Sequence, residues 1–280
     1  MNSSTADAKD AFGVLASRLR LRILEALRDT DADRRYTFTE LYEAVDGPNT
    51  SQFAYHLDRL TPRYVQQSNR GYVITDTGRR IVQSVTAGEY TIEPEFESVS
   101  VSTHCPECGD TTGETTYDGR LANVDCGSCG RNLLRYDLRP AHVADQDCRA
   151  ALRAADRQMR AEFDTALDGV CQRCGGAIEE TLQTGPNVDP ATAIVSCVCS
   201  QCGATYSGPV EMALLSHPAV VGRYWAKGLD TLRTPLWELF EHLSAFDVAV
   251  VDDTTVLVEL PTGDSFRIAA ADGLEIQQRD

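Results

Sequence analysis

The sequence lacks a long apolar segment. None of its stretches approaches the roughly 20 consecutive apolar residues that a membrane-spanning helix needs, although hydrophobic residues make up 42% of the 280 positions, enough for a globular protein. The first ten residues, MNSSTADAKD, also lack the basic and then apolar order of a secretory signal. We therefore expect a soluble, cytoplasmic protein with no membrane partner.

Common catalytic motifs are missing as well. The chain contains no glycine-rich phosphate loop, no nucleophile elbow and no His-Glu-x-x-His string. Four histidines, His104, His142, His217 and His242, are scattered, and none is paired with an acidic residue at a motif spacing. We therefore expect no catalytic residues and no enzymatic activity.

Lysine is almost absent, since Lys9 and Lys227 are the only two. Acidic residues outnumber basic ones by 42 to 26, which gives a net charge of −16. This composition resembles that of proteins from salt-accumulating archaea; an acidic protein from a GC-rich genome is the alternative. Residues 1–90 hold 12 basic and 12 acidic residues, so the whole excess lies behind residue 90. Because DNA repels acidic surfaces, only the N-terminal part is a candidate for contact with DNA.

Residues 1–90 show the pattern of several short helices and a β-hairpin. Thr37 can cap a second helix, Thr50 or Ser51 a third, and Thr75 a last one. The β-prone runs YVQQS and GYVIT flank Asn69-Arg70-Gly71, which is typical of a hairpin. The first helix is predicted from an apolar stripe of Phe12, Leu15, Ala16, Leu19, Ile23, Ala26 and Leu27, and the third helix from Phe53, Ala54, Leu57 and Leu60 as its inward side. This order predicts a winged helix-turn-helix.

Four segments resemble the ArsR-type family of prokaryotic DNA-binding repressors: LASRLRLRILEAL, FTELYEAV, SQFAYHLDRL and GYVITDTGRRIV. The resemblance covers about the first third of the chain. It implies a transcriptional regulator that binds double-stranded DNA as a homodimer, with two recognition helices about one DNA turn apart. Metal-sensing members carry paired cysteines on a helix of this domain. Here the first cysteine is Cys105, which excludes that route.

The third helix would be the recognition helix, with its exposed residues in the major groove. Gln52 can pair with adenine, and Ser51 can contact a base or a phosphate. Arg59 and Arg63 would hold phosphates, and the wing tip would reach the DNA backbone or the minor groove. In this family the motif histidine, here His56, often packs or touches backbone instead. The full set of predicted DNA contacts is Asn49, Thr50, Ser51, Gln52, Tyr55, His56, Arg59, Arg63, Asn69 and Arg70.

Four cysteine pairs follow, each with two intervening residues and a glycine directly after: CPECG, CGSCG, CQRCG and CSQCG. This spacing lets both thiolates reach one metal ion from a tight turn, and glycine permits the turn's unusual backbone angles. We expect two structural Zn²⁺ sites, held by Cys105, Cys108, Cys126, Cys129, Cys171, Cys174, Cys199 and Cys202. Cys148 and Cys197 remain, and the expectation for both is a buried, inert thiol; redox sensing is the alternative.

The predicted fold class is α+β. We expect a winged helix-turn-helix over residues 1–90, a first zinc ribbon over 91–140, a linking helix over 141–169, a second zinc ribbon over 170–210, and C-terminal helices with a small antiparallel meander over 211–280. The back half would serve dimerisation, effector sensing or contacts with transcription machinery, and it resembles C-terminal domains attached to winged helices in haloarchaeal proteins. Two alternatives stay open: a zinc-ribbon adaptor whose winged helix binds protein, and a redox- or metal-responsive regulator.

Overall fold

A computed structural model describes residues 2–28, 34–47, 49–90, 95–119, 121–144, 146–184, 193–271 and 273–279. The chain divides into two compact units, Met1–Ile92 (unit 1) and Glu93–Asp280 (unit 2). Over the described residues it contains ten helices and four small antiparallel sheets. The predicted α+β class is therefore confirmed. None of the helices in this part of the chain has the length and apolar character needed to cross a membrane.

Unit 1 consists of five helices and one hairpin. In chain order these are α1 (Asn2–Leu15), α2 (Arg18–Ala26), α3 (Phe38–Ala44), α4 (Thr50–Leu60), β1 (Val65–Ser68), β2 (Gly71–Ile74) and α5 (Asp76–Thr86). Residues 29–33, between α2 and α3, and residue 48, before α4, lie outside the described residues.

The sequence pattern predicts one helix with an apolar stripe from Phe12 to Leu27, and this prediction is wrong at its N-terminal end. Ser17 has extended backbone angles, φ −153° and ψ 122°, and separates α1 from α2. Phe12 is 67% exposed, whereas Ile23 is fully buried. Because the chain changes direction at Ser17, Leu15 of α1 packs against the same core as Ile23 of α2.

Side-chain caps start three of the helices in unit 1. Thr37 and Glu40 form the reciprocal capping box of α3, and the hydroxyl of Thr75 accepts the N–H of Gly78 at 3.1 Å at the start of α5. Both threonine caps were predicted. At α4, however, Asn49 is the cap, because its Oδ1 accepts the N–H of Gln52 at 2.8 Å. The prediction of Thr50 or Ser51 as this cap is wrong.

The hairpin pairs Val65 with Ile74 and Ser68 with Gly71, as its turn residues predict. Gly71 has φ +118°, and a Cβ there would lie 2.5 Å from the backbone oxygen of Tyr36. The close approach arises because Tyr36 and Tyr72 exchange both backbone hydrogen bonds, at 2.9 and 2.8 Å. Only glycine fits this position.

Unit 2 begins with the four-stranded sheet β3 (Ser100–Ser102), β4 (Thr112–Tyr117), β5 (Leu121–Cys126) and β6 (Asn132–Asp137), followed by α6 (Pro140–Val143) and α7 (Cys148–Leu167). A three-stranded sheet comes next, β7 (Ile178–Gln183), β8 (Ile194–Cys199) and β9 (Thr205–Pro209). The remaining elements are α8 (Val210–Ala213), α9 (Pro218–Trp225), α10 (Leu236–Leu243), β10 (Asp247–Asp252), β11 (Thr255–Glu259), β12 (Ser265–Ala270) and β13 (Leu274–Arg279). The last four strands form an antiparallel meander in chain order.

A buried polar network connects α7 to its neighbours. Asp156 is 1% exposed, and its Oδ1 accepts the Tyr136 hydroxyl of β6 and the Leu236 N–H of α10, both at 3.0 Å. Arg160, one turn further along α7, donates to the backbone oxygen of Thr234 at 2.9 Å. Because a buried carboxyl group is costly without partners, this network fixes α7 against both elements.

The two tryptophans of unit 2 differ in exposure. Trp237 is buried, and its ring lies edge-on to that of Tyr136 with centroids 6.0 Å apart. Trp225, at the end of α9, is instead 64% exposed.

Candidate metal centres and nucleic-acid interface

Each of the four cysteine pairs forms the same tight turn. The N–H of the glycine after the pair donates to the carbonyl of the first cysteine, at 2.9, 3.0, 2.7 and 2.9 Å along the chain. These glycines have φ between +71° and +73°, and nothing lies within 4 Å of a Cβ placed on them. The left-handed backbone, and not crowding, therefore requires glycine. The four are Gly109, Gly130, Gly175 and Gly203.

Sheet register brings the turns together in pairs. Gly113 at the start of β4 lies opposite Cys126 at the end of β5, so the turns at Cys105 and Cys126 meet at one end of the first sheet. Ile178 of β7 lies opposite Cys199 of β8 in the same way. Two modules result, and we name them the first and second cysteine modules after the sheets β3–β6 and β7–β9.

In the first module the Sγ atoms of Cys105 and Cys129 are 3.7 Å apart, and those of Cys108 and Cys126 are 3.5 Å apart. In the second module the distances are 3.7 Å for Cys171 and Cys202 and 3.5 Å for Cys174 and Cys199. Four thiolates at about 2.3 Å from a tetrahedral ion are about 3.8 Å apart, far beyond disulfide length. Each group of four can therefore hold one metal ion, with all eight predicted ligands in place.

The environment favours the thiolate form at particular cysteines. The backbone N–H of Cys129 lowers the pKa of Cys126 to about 7, because it stabilises the charged sulfur. The pKa of Cys171 is lowered to about 6, first of all by the hydroxyl of Tyr206, which lies 3.5 Å from its Sγ. Since the thiolate is the form that binds metal, each module contains a cysteine that is biased towards it.

Tyr206 distinguishes the two modules, and the cysteine pattern alone does not reveal it. Tyr206 follows the last cysteine of its module by four residues, and the residue at the same spacing in the first module is Leu133, which has no hydroxyl. The sequence signal for Tyr206 is this difference between tyrosine and leucine at the same spacing after equal cysteine pairs.

The two remaining cysteines lie outside both clusters. Cys197 is fully buried on β8, and burial, with a smaller contribution from Glu180, raises the pKa of its thiol to about 11. The Sγ of Cys148, at the start of α7, accepts the N–H of Glu97 at 3.2 Å. Cys197 is buried, as expected, whereas Cys148 is only half-buried, so the expectation of burial is wrong for Cys148.

In unit 1, α4 has two distinct sides. Phe53, Leu57 and Leu60 are buried in the core, whereas Ala54, predicted to face inward, is exposed. On the outer side, Tyr55 is 60% exposed. The other exposed residues from the predicted DNA-contact set on this helix are Thr50, Ser51, Gln52 and Arg59. The structure thus brings these five side chains to one exposed surface, which we name the α4 surface.

His56 differs from its neighbours on α4. It is half-buried, its Nδ1 is shielded from solvent, and no described residue bonds to it. Burial, and then the guanidinium of Arg20, lowers its pKa. The Nε of Arg20 is also shielded and without a described partner. His56 therefore lies at the packing edge between α2 and α4 instead of on the fully exposed side.

Three predicted contacts lie beyond α4. Arg63 is exposed, and its Nη1 donates to the backbone oxygen of Asp7 at 3.3 Å. Asn69 and Arg70 form the exposed two-residue turn of the hairpin, where the N–H of Arg70 donates to the Ser68 hydroxyl at 3.2 Å.

The fold and the clusters define an α+β protein with a helical unit, a hairpin and two four-cysteine groups that can hold metal. The chain belongs to the family described as Domain of unknown function (DUF7351), whose model matches residues 102–274. A second model, Domain of unknown function (DUF7347), matches residues 8–85. The two matches fall within unit 2 and unit 1, respectively. No curated protein and no solved structure matches the chain.

Proposed function

We propose that unit 1 is a winged helix-turn-helix that binds double-stranded DNA, and that the chain is a sequence-specific transcriptional regulator. The carrying observation is the α4 surface, where one helix holds its apolar side in the core and presents Ser51, Gln52 and Arg59 to solvent. The order α3, turn, α4 and hairpin supports the proposal, because it supplies a recognition helix followed by a wing. The ArsR-like segments support it independently.

The chemistry of the exposed side chains suggests their roles. Gln52 offers an amide that can pair in bidentate fashion with adenine, and Ser51 can bond to a base or a phosphate. Arg59 and Arg63 carry charge that suits phosphates, and Arg70 on the wing suits the backbone or the minor groove. The acidic residues of unit 2 would repel DNA, so binding is assigned to unit 1 alone.

We further propose that the chain acts as a homodimer. The ArsR-like resemblance supports this, because two copies of α4 one DNA turn apart would read a pseudo-palindromic site. Unit 2 would then provide dimer contacts, effector sensing or contacts with transcription machinery.

We also propose that the metal in both cysteine modules is Zn²⁺, in a structural role. Four cysteine ligands fill a tetrahedral site and leave no position for water or substrate. Each loaded site would also carry a formal charge of −2, which makes unit 2 still less suited to DNA. The supporting observation is the match between the sulfur spacings of 3.5 to 3.7 Å and this geometry.

The DNA proposal is tested with the full chain and a random duplex library at several salt concentrations. Selection should enrich one sequence, and affinity should fall steeply with salt, because phosphate contacts release counterions. Arg59→Ala combined with Arg70→Ala should reduce the slope of log affinity against log salt by about 2.

Arg279→Ala, on the edge strand β13 of unit 2, is the matched control and should leave the slope unchanged. If binding to the duplex depended neither on salt concentration nor on the two arginines, the DNA proposal would be wrong. Failure to enrich any duplex would favour the protein-binding adaptor.

A further inference from the structure

A cavity of about 230 Å³ lies within unit 2, between the first cysteine module, α8 and α10. Its walls come from elements far apart in sequence, namely β6, the end of β9 with α8, and α10. Eight of the twelve lining residues are apolar, among them Leu134, Met212, Leu236, Phe240 and Leu243. Pro106 and Arg131, beside the cysteines of the first module, also line it, so the cavity borders the first cluster but includes none of its cysteines.

One acidic residue lines this cavity. Glu211 has its Oε2 shielded from solvent, and no described residue donates a hydrogen bond to that oxygen. Burial raises the pKa of Glu211 to about 7, so the carboxyl group lacks the partner that would stabilise its charge. Arg131 also lines the cavity, but it forms an ion pair with Glu107.

We propose that this cavity is a binding site for a small organic cation, a protonated amine with a compact apolar body. The ammonium group would supply the donor that Glu211 lacks, and rotation about its last side-chain bond lets either oxygen meet the ligand. The apolar body would replace water against Leu236 and Phe240. An anion would be repelled by Glu211, and a purely apolar molecule would leave its carboxyl group unpaired.

The size of the cavity limits the ligand. Its 230 Å³ equals roughly eight water molecules at about 30 Å³ each, so a molecule of roughly eight to ten non-hydrogen atoms fits. The site goes beyond DNA binding and does not depend on it, because every lining residue belongs to unit 2.

Methyl NMR on the full, metal-loaded chain tests the proposal. The three methionines are Met1, Met159 and Met212, so ¹³C-methyl labelling gives one signal inside the cavity, which Met212→Leu assigns. The probes are 2-phenylethylammonium, the neutral 2-phenylethanol and the anionic phenylacetate. We expect a saturable shift of the Met212 signal with the ammonium probe and at least tenfold weaker binding of the other two, because the charge-assisted bond is lost.

Glu211→Gln keeps the shape of the side chain and should weaken the ammonium probe at least tenfold. Glu259→Gln, at an exposed carboxylate of β11, is the matched control and should change nothing. Ser244→Trp places a bulky ring at the exposed rim of the cavity and should block the probe. Equal affinities for the three probes, undiminished binding in either cavity variant, or a Met212 signal that does not saturate would overturn the proposal.

Discussion

Unit 1 and unit 2 fix their turns by different means. In unit 1, which has no cysteine, hydrogen-bonding side chains such as Thr37, Asn49 and Thr75 cap three helices, and apolar residues of all five helices contribute to one core. In unit 2, four of the turns consist of cysteine pairs, and half of the clustered cysteines are exposed. We therefore expect apolar packing to suffice for unit 1, whereas the ends of the cysteine modules would depend on a metal ion bound by the thiolates.

The units also differ in charge. The whole net charge of −16 comes from residues after position 90, the part of the sequence that also contains both cysteine clusters. A protein that binds DNA through one neutral unit can tolerate an acidic second unit only if the latter faces away from the DNA. Because the two units differ in these ways, we expect that substitutions can separately affect metal binding in unit 2, the apolar core of unit 1 and a buried carboxyl group in unit 2.

The largest effect is expected from removing a clustered cysteine. Cys199→Ser should lower the metal content from two ions to one per chain and destabilise the second module by on the order of 5 kcal/mol, because structural zinc supplies folding energy. Cys197→Ala, two residues away on the same strand, should keep both ions. Elemental analysis and thermal unfolding measure these outcomes. If Cys199→Ser retained two ions, the assignment of that ligand would fail.

Unit 1 should respond to a core substitution without any change in metal. Leu57 is 2% exposed, so Leu57→Ala should cost about 2–5 kcal/mol through lost contacts and a cavity. Asp58→Ala, an exposed neighbour on α4, should shift stability by less than about 0.5 kcal/mol. Denaturant unfolding followed by circular dichroism, with elemental analysis beside it, distinguishes them. Metal loss in Leu57→Ala would contradict the independence of the two units.

Much of this contrast follows from local sequence. The Cys-x-x-Cys-Gly spacing predicts both clusters because ligand reach and the left-handed glycine are local requirements. Asn69-Arg70-Gly71 predicts the hairpin, and Thr37 and Thr75 predict their caps, for the same reason.

Features that depend on distant residues escape such prediction. The break at Ser17 arises because α1 and α2 pack separately on one core, which the periodicity of the apolar stripe does not report. The Asp156 network joins residues 20 and 80 positions apart. The cavity around Glu211 likewise forms only when β6, α8 and α10 meet.

Buried charge in unit 2 should make stability depend on pH. The pKa of Glu211 is raised by burial from 4.5 to about 7. Its contribution to stability is therefore fully present below pH 4.5 and is lost as the pH rises through 7. Glu211→Gln has no carboxyl group to ionise and should not show this loss. Its free energy of unfolding, relative to that of the natural chain, should therefore rise by about 1–3 kcal/mol between pH 5.5 and pH 8.

Denaturant unfolding of both chains at the two pH values measures this gain. Comparison at equal pH cancels acid effects on the cysteine clusters, and Glu259→Gln at an exposed position should show no gain. A constant difference between the Gln variant and the natural chain would mean that Glu211 is not the group responsible.

The smallest effect concerns Asn49, which is both the cap of α4 and a proposed DNA contact. Asn49→Ala should destabilise unit 1 by about 1 kcal/mol, because the N–H of Gln52 loses its acceptor, whereas Asn49→Ser keeps an acceptor and should cost only a few tenths. Denaturant unfolding measures how much the cap contributes to stability. Affinity for the selected duplex measures how much Asn49 contributes to DNA binding. If Asn49→Ser keeps stability but loses affinity, the amide itself meets DNA. If affinity instead follows stability through both variants, Asn49 serves only to position the α4 surface.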